Sequence, residues 1–289
     1  MSMQTHTLET AEADLVYDVR GPLPSVGRPP LLMVGQPMDA GGFATLAEYF
    51  PDRTVLTYDP RGLGRSVRKD GRTDNSPVVQ AEDLHALIGV VGGPVEVFAS
   101  SGGAVTALAL VAAHPGDVSV LVAHEPPLTG VLSDAAAAAR AFAGVREAYE
   151  AKGFGAGMAA FIAMTSWQGE FDEGYFAQPA PDPALFGMPT EDDGRRDDPL
   201  LSDRSRAVVD YRPDIAALTA APTRVLIAVG TESAGVLTGR TAEATAALLG
   251  HEAVVFPSHH SGFVGGDAGY AGQPEAFARR LHEVLDANR

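Results

Sequence analysis

The chain has 289 residues, of which 45% are hydrophobic, and it carries a formal net charge of −16 at neutral pH. This length and apolar content are enough to bury a large core, in one large domain or two small ones. The acidic balance argues against nucleic acid and against an anionic membrane as partners, because no basic surface is available to neutralise phosphates. The sequence has no cysteine, which excludes disulfides, thiolate catalysis, zinc–thiolate centres and iron–sulfur clusters.

No apolar run approaches the roughly 18 residues that a membrane span needs, and the N-terminal residues lack the basic and apolar regions of a secretion signal. We therefore expect a cytoplasmic protein without a membrane partner. The sequence contains no feature that fixes the oligomeric state.

Short apolar runs alternate along the chain with helical patterns. After an expected edge hairpin in the first thirty residues, the apolar runs predict strands at 31–34, 54–58, 95–99, 118–123, 224–229 and 253–256. The helical patterns lie at 43–50, 77–91, 102–114, 240–249 and 274–287. Strands that alternate with helices predict an α/β protein with a mostly parallel sheet and helices on both faces.

This alternation stops near residue 126 and resumes at residue 222. The break predicts a core in two parts, 1–126 and 222–289, with an insertion at 127–221. Within the insertion, the Ser133-Asp134 pair is a candidate N-cap of one long helix, and Gly153 is its candidate C-terminal glycine. A second helix is expected at 158–167, followed by a solvated loop at 178–203 and a short helix capped by Ser202.

Ser101 lies between a predicted strand and the helix that follows it. A nucleophile on such a sharp turn needs small residues two positions away on each side, and Ala99 and Gly103 meet this need. Centring the turn on Ser100 would put Phe98 where a small residue is required. Ser101 is therefore the candidate nucleophile. The alternative interpretation is a plain turn, or a phosphate site at the helix N-terminus.

A nucleophilic serine needs a general base, and two adjacent histidines lie in the loop directly after the last predicted strand. From that loop, His259 or His260 would reach over the strand ends toward Ser101. We prefer His260, because the small pair Ser261-Gly262 that follows lets the loop fold tightly behind it. His259 stays as the alternative.

Two glutamates compete for the role of the acid that orients the base. Glu125 follows the strand after the serine turn and its helix, and Glu232 follows the next strand. Either position keeps the chain order nucleophile, acid, base and lies at the edge where strand carboxyl ends meet. The alternative interpretations are a salt-bridged strand end for Glu125 and a helix cap for Glu232.

Two backbone amides are candidates for stabilising a tetrahedral oxyanion. One is the N–H of Gly102, directly after the candidate nucleophile. The other belongs to the loop after the strand at 31–34, where Pro37 has no N–H and Gln36 is the candidate. A tight turn without this role is the alternative.

Together these residues resemble the α/β-hydrolase fold family over nearly the whole chain. The run from Asp59 to Ser66, DPRGLGRS, matches the pattern D-x-R-G-x-G-x-S of its esterase, lactonase, haloperoxidase and epoxide hydrolase branches. In those branches the pattern shapes a turn and is not itself catalytic. The resemblance implies the α/β-hydrolase fold, with the insertion at 127–221 forming a helical lid.

The resemblance also bears on the acid. Most members carry an Asp three residues after the glycine that ends the penultimate strand, where this chain has Ser233. Some branches, including haloalkane dehalogenases and zearalenone-type lactonases, instead place a Glu in the position of Glu125. We therefore favour Glu125 over Glu232. The chain departs from the family pattern at Ala99, which is usually Gly, and at Val34, where His is usual.

In function, the resemblance implies a serine hydrolase that cleaves a lipophilic carboxylic ester or lactone through an acyl-enzyme on Ser101, with no cofactor and no metal. Dehalogenases and epoxide hydrolases use Asp at this position, so their mechanism does not transfer. The alternatives are a C–C bond hydrolase, a cofactor-free perhydrolase and a non-catalytic ligand-binding protein. The candidate substrate contacts are aromatic residues of the insertion: Trp167, Phe161 and Tyr175, with Phe154, Phe171 and Phe176. The alternative interpretation is that these residues pack the lid on the core.

Overall fold

The computed structural model describes residues 3–266 and 271–288, and within these ranges nine strands form one sheet. The strands are β1 (Met3–Glu9), β2 (Ala13–Arg20), β3 (Leu31–Val34), β4 (Val55–Tyr58), β5 (Val67–Arg68), β6 (Val95–Ser100), β7 (Val118–His124), β8 (Arg224–Gly230) and β9 (Val254–Phe256). Their order in the sheet is β1-β2-β4-β3-β6-β7-β8-β9, and β5 pairs with β2 outside this path. All six strands predicted between residues 31 and 256 are present. The short strand β5 has no periodic apolar pattern and was not predicted.

The sheet is antiparallel at one edge and parallel elsewhere. The strands β1 and β2 form the expected edge hairpin, and β2 also runs antiparallel to β4. From β4 through β9 every neighbouring pair is parallel. Parallel strands all end at the same edge of the sheet, so the loops after β3, β6, β7, β8 and β9 lie side by side. Ser101, Glu125, Glu232 and His260 all follow strands that end at this edge.

Ten α-helices are present among the described residues. They are α1 (Ala44–Glu48), α2 (Pro77–Val91), α3 (Gly102–Ala113), α4 (Ala135–Lys152), α5 (Phe154–Thr165), α6 (Glu173–Phe176), α7 (Arg206–Val209), α8 (Ile215–Ala220), α9 (Leu237–Leu248) and α10 (Pro274–Ala287). One apolar cluster joins the sheet to α2, α3 and α9, and a second joins the opposite face to α1 and α10. The prediction of a parallel sheet covered on both faces is confirmed.

Between β7 and β8 the chain forms the helices α4 to α8, with its own apolar cluster. The long helix α4 ends at Gly153, whose φ of +82° suits glycine. The next helix, α5, begins directly after this glycine, four residues earlier than predicted. Short helices, including α6 and α8, occupy parts of the insertion for which the sequence pattern predicted no helix.

The N-cap of α4 lies where the sequence predicts it, but it lacks the expected side-chain hydrogen bond. Asp134 occupies the N-cap position, but its side chain makes no capping hydrogen bond. Its carboxylate instead accepts a hydrogen bond from the N–H of Phe171 at 2.7 Å and pairs with Arg240 of α9. Ser133 donates to Glu170. These two residues therefore join α4 to the loop before α6 and to the core.

The run from Asp59 to Ser66 forms a braced turn, as expected from the resemblance. Asp59 accepts hydrogen bonds from the backbone N–H and the guanidinium of Arg65, each at 2.7 Å. Arg61 makes a bidentate pair with Asp83 of α2, at 2.5 and 2.6 Å, with both side chains buried. The hydroxyl of Ser66 donates to the carbonyl of Asp59 at 2.6 Å. These contacts fix the loop after β4.

Within the described ranges, no helix combines the length and the apolar character needed to cross a membrane.

Candidate active site

Ser101 lies at the turn between β6 and α3 with φ of 58° and ψ of −130°, a conformation that non-glycine residues rarely adopt. Its N–H donates to the carbonyl of His124 at the end of β7, at 2.9 Å. A Cβ on Gly103 would overlap the carbonyl oxygen of Val34, so only glycine allows α3 to approach β3 this closely. The turn predicted from Ala99, Ser101 and Gly103 is therefore present.

The structure brings Glu125 to His260. The Oε2 atom of Glu125 lies 2.7 Å from Nδ1 of His260, and the Glu125 side chain is completely buried. Glu125 directly follows β7 with φ of +48°, and its N–H donates to the carbonyl of Ala228 at 3.0 Å. Its other oxygen, Oε1, accepts from the N–H of Gly230 at 2.8 Å. The carboxylate is thus held by two strand ends and by the histidine loop.

The charge of Glu125 determines which nitrogen of His260 carries hydrogen. Burial by itself would raise the pKa of Glu125, but the hydrogen bond to His260 and the nearby Ser233 hydroxyl hold this pKa well below its ordinary value. An ionised carboxylate only accepts hydrogen bonds, so the hydrogen in the 2.7 Å contact belongs to Nδ1. In neutral His260, Nε2 is then left with a free lone pair and can act as a base.

The other two candidates for these roles have different partners. The Glu232 carboxylate is exposed and accepts a hydrogen bond from Gln273 at 3.2 Å. His259 lies with Nε2 3.3 Å from the carbonyl of Ala271, and its Nδ1 accepts from the N–H of Ser261.

Sequence reasoning overlooked His124, which is fully buried beside this cluster. Its ring lies 5.9 Å from the ring of His260, and its Nδ1 is 3.2 Å from the hydroxyl of Ser100. Burial lowers the pKa of His124 to about 4, so the ring is neutral at neutral pH. The signal in the sequence was a histidine that ends an otherwise apolar strand, directly before Glu125.

Ser101 and His260 line one cavity of about 810 Å³ between the sheet edge and the insertion. Glu232, His259 and Asn75 also line it. Many of its other lining residues are apolar, and the insertion contributes several of them, among them Phe142, Phe161, Ile162, Leu200 and Val209. Asn75 was not predicted, because it lies in an irregular stretch before α2. The cavity has the size and the mostly apolar lining of a small-molecule site.

Gln36 and Gly102, the two candidate oxyanion residues, are adjacent on the wall of this cavity. The N–H of Gly102 donates to the carbonyl of Gln36 at 3.2 Å, which is at the long end of the usual range. The N–H of Gln36 makes no hydrogen bond within the described part of the chain. Among the described residues, the N–H of Gln36 thus has no hydrogen-bond partner, whereas the N–H of Gly102 already has one.

Of the six aromatic residues proposed for substrate contact, Phe161 alone lines this cavity. Trp167 and Tyr175 line a separate cavity of about 960 Å³ within the insertion. Their rings pack edge to face at 5.4 Å, and the indole N–H of Trp167 donates to the carbonyl of Glu170. In this arrangement they pack the insertion against itself.

A cluster that could hold a metal ion lies away from the cavity, on the surface between α2 and the end of α3. It comprises His85, His114 and Asp117, whose ligand atoms lie within 4.8 Å of one another. The two rings are stacked at 3.8 Å and almost parallel, and each histidine is paired with a carboxylate. A metal ion lies in the plane of an imidazole that binds it, so one ring would have to turn before both could bind.

No family model matches the chain. A protein of Bacillus subtilis (strain 168) described as the uncharacterized hydrolase YraK is 28% identical over 297 residues, covering 100% of this chain and 98% of that protein.

Among solved structures, an alpha/beta hydrolase from Sphaerobacter thermophilus matches with a TM-score of 0.62 and 22% identity, over 97% of this chain and all of that one. A thermophilic esterase from Thermogutta terrifontis matches with a TM-score of 0.63 and 21% identity, over 98% of both chains. A protein of Pseudomonas aeruginosa provisionally described as an epoxide hydrolase matches with a TM-score of 0.62 and 20% identity, over 99% of this chain and 96% of that one. At identities this low, the similarity to these structures shows the fold alone.

Proposed function

This chain has the α/β-hydrolase fold, as its sequence predicts, and we propose that it is a serine hydrolase that cleaves a lipophilic carboxylic ester or lactone. The observation that carries the proposal is the 2.7 Å contact between Glu125 and His260, beside a cavity that Ser101 also lines. A nucleophile, a base and an orienting acid at one edge of the sheet are the parts that acyl transfer requires.

In the proposed mechanism, Ser101 attacks the carbonyl carbon while Nε2 of His260 takes its proton. Glu125 holds the ring orientation and stabilises the imidazolium that forms. The N–H groups of Gln36 and Gly102 donate to the oxyanion of the tetrahedral intermediate. His260 then gives the proton to the leaving alcohol, and water, deprotonated by the same nitrogen, hydrolyses the acyl-enzyme.

The chemistry of Ser101 favours an ester or lactone over an epoxide. Attack by a serine hydroxyl on an epoxide carbon would form an ether, which water does not readily cleave, and turnover would stop. Attack on an ester carbonyl forms a new ester, which water resolves with return of Ser101. Hydrolysis of a C–C bond beside a carbonyl, perhydrolysis, and ligand binding without turnover are the alternatives that use the same cavity.

We further propose that the insertion at 127–221 is a lid over two core parts, 1–126 and 222–289. The support is that many of the apolar residues lining the cavity, including Phe161 and Leu200, come from this insertion. A lid built in this way would give the cavity its preference for lipophilic substrates.

A panel of p-nitrophenyl esters of increasing chain length, assayed beside a set of macrocyclic lactones, tests this function. We expect turnover of at least one of these classes, lost in Ser101→Ala. Binding of an ester without turnover would instead support the ligand-binding alternative.

A further inference from the structure

The side-chain amide of Gln36 is buried on the wall of the cavity, where none of the described residues forms a hydrogen bond with it. The residue is 3% exposed, and neither Nε2 nor Oε1 bonds to another group in the described part of the chain. Leaving a buried polar group unpaired is costly, and most buried amides in native proteins are paired. The unpaired amide of Gln36 therefore requires an explanation.

Gln36 lies directly against the nucleophile turn. Its Cβ and Cγ atoms are within 3.1 Å of where a Cβ on Gly102 would be, next to Ser101. Because no hydrogen bond holds the amide, rotating it toward the cavity would break none. It can then offer both a donor and an acceptor close to the reacting carbonyl.

A second unpaired polar atom belongs to the same cavity. Asn75 is 1% exposed, and its Oδ1 has no hydrogen-bond partner among the described residues. The rest of Asn75 is fixed, because its N–H donates to the carbonyl of Arg204 at 2.8 Å and its Nδ2 donates to that of Pro199 at 3.2 Å. Its Oδ1 is thus an acceptor with a defined position.

The charge of the cavity limits what these groups can bind. Among the described residues that line it there is no lysine or arginine, and Glu232 is the one carboxylate. An anionic group on the substrate would find no cation and would be repelled by Glu232. A cationic group could donate to the amide oxygens but would leave the Nε2 donor of Gln36 unpaired, so a neutral group that both donates and accepts suits these amides best.

Resting on the proposed function, we propose that the substrate is a neutral ester or lactone with a hydroxyl group near the scissile carbonyl, and that Gln36 and Asn75 recognise this hydroxyl. The hydroxyl donates to an amide oxygen and accepts from Nε2 of Gln36. The remaining surface of the substrate is apolar, like most of the cavity wall. Gln36 and Asn75 are then specificity residues in addition to the backbone role of Gln36.

The experiment compares kcat/KM for p-nitrophenyl butyrate, p-nitrophenyl 3-hydroxybutyrate and mono-p-nitrophenyl succinate. We expect the wild-type protein to prefer the hydroxylated ester over the butyrate by about tenfold or more, and to disfavour the succinate. In Gln36→Met, which keeps the side-chain length, we expect most of this preference to be lost. The readout is the ratio of the kcat/KM values for the hydroxybutyrate and the butyrate, because altered oxyanion geometry lowers both values together.

Gln80→Met is the matched control, because Gln80 is 1% exposed with an equally unpaired amide but does not line the cavity. If Gln36→Met does not fold, the ratio of kcat/KM values for the two esters is measured in Asn75→Leu instead. A wild-type ratio near one, or a ratio unchanged in the Gln36 variant, would overturn the inference while leaving the hydrolase proposal intact. Absence of turnover on every ester, together with no labelling of Ser101 by a fluorophosphonate, would overturn both.

Discussion

Glu125 and His260 are 135 positions apart in the chain, yet Oε2 of the glutamate lies 2.7 Å from Nδ1 of the histidine. The carboxylate is buried and the imidazole is partly exposed toward the cavity. Because the low pKa of Glu125 keeps it ionised, the contact leaves Nε2 of His260 as the free basic nitrogen. The proposed function depends on this relationship.

Replacing the acid tests the assignment of Glu125. In Glu125→Gln, an amide faces Nδ1 and favours the wrong tautomer of His260. We expect kcat to fall by roughly 10³ to 10⁴. The matched variant Glu232→Gln removes a carboxylate from the same cavity without touching the imidazole, and its kcat should stay within about threefold of wild type. Steady-state kinetics on the best ester substrate measures kcat of both variants. A large loss of kcat in Glu232→Gln with little loss in Glu125→Gln would assign the role of the acid to Glu232.

The buried ring of His124 should make stability depend on pH. The unfolded chain takes up a proton on this histidine below about pH 6.5, whereas the folded protein does so only near pH 4. Between these values the unfolded state binds more protons, so the free energy of unfolding decreases as the pH falls. From pH 7.5 to pH 5 this residue should contribute a loss of about 2 kcal/mol.

Denaturant unfolding at pH 7.5 and pH 5 measures this loss. His124→Phe, which places a ring among Phe98, Phe256 and Phe277, should lack it, while His6→Gln on the exposed strand β1 should behave like wild type. Equal pH dependence in wild type and His124→Phe would mean that the ring is protonated in the folded state.

Gly103 should be required for the close packing of α3 on β3. A Cβ at Gly103 meets the backbone of β3, which has no flexible end to move aside. We expect Gly103→Ala to lower the free energy of unfolding by about 2 kcal/mol or more. Gly144 is an exposed helical glycine of α4 with nothing within 4 Å of an added Cβ, so Gly144→Ala should be neutral or stabilising by up to about 1 kcal/mol. Thermal unfolding compares the two, and similar effects would refute the steric account.

Replacing Arg61 should lower the free energy of unfolding without changing the catalytic rate. Its side chain is 3% exposed and pairs with the buried carboxylates of Asp83 and Asp70. Asp70 keeps its pair with Arg68, but Arg61→Met leaves the buried charge of Asp83 without its ion-pair partner. We expect a loss of about 3 kcal/mol or more, with kcat per folded molecule near that of wild type. Arg72→Met removes the exposed pair with Asp74 and should leave the unfolding midpoint unchanged. A large loss of kcat in folded Arg61→Met would indicate a catalytic role.

The sequence predicts those parts of the fold that depend on local patterns. The central strands are continuously apolar because both faces of the sheet are covered, and the turn at Ser101 needs small neighbours whose identity is visible in the chain. The order of strand ends then suggests that Ser101, Glu125 and His260 share one edge. Both Glu125 and Glu232 follow parallel strands, so local patterns do not separate them. The family resemblance favours Glu125, and the side-chain positions add its 2.7 Å contact with His260.

The features that were missed depend on long-range contacts. Asn75 reaches the cavity wall through a hydrogen bond to Pro199, 124 positions away, and no local pattern reports such a contact. Asp134 has the residue type and position of a helix cap, but Phe171 and Arg240 compete for its carboxylate. Whether Trp167 faces the substrate cavity or another part of the insertion is likewise decided by tertiary packing.

Labelling of the purified protein with a fluorophosphonate probe, followed by mass mapping of the modified peptide, shows directly whether Ser101 is the nucleophile. We expect one label per chain, located on Ser101, lost in Ser101→Ala and strongly slowed in His260→Ala. The Ser100→Ala variant should still be labelled. A protein that reacts at no residue, or whose labelling is unaffected by Ser101→Ala, would contradict the assignment of Ser101 as the nucleophile.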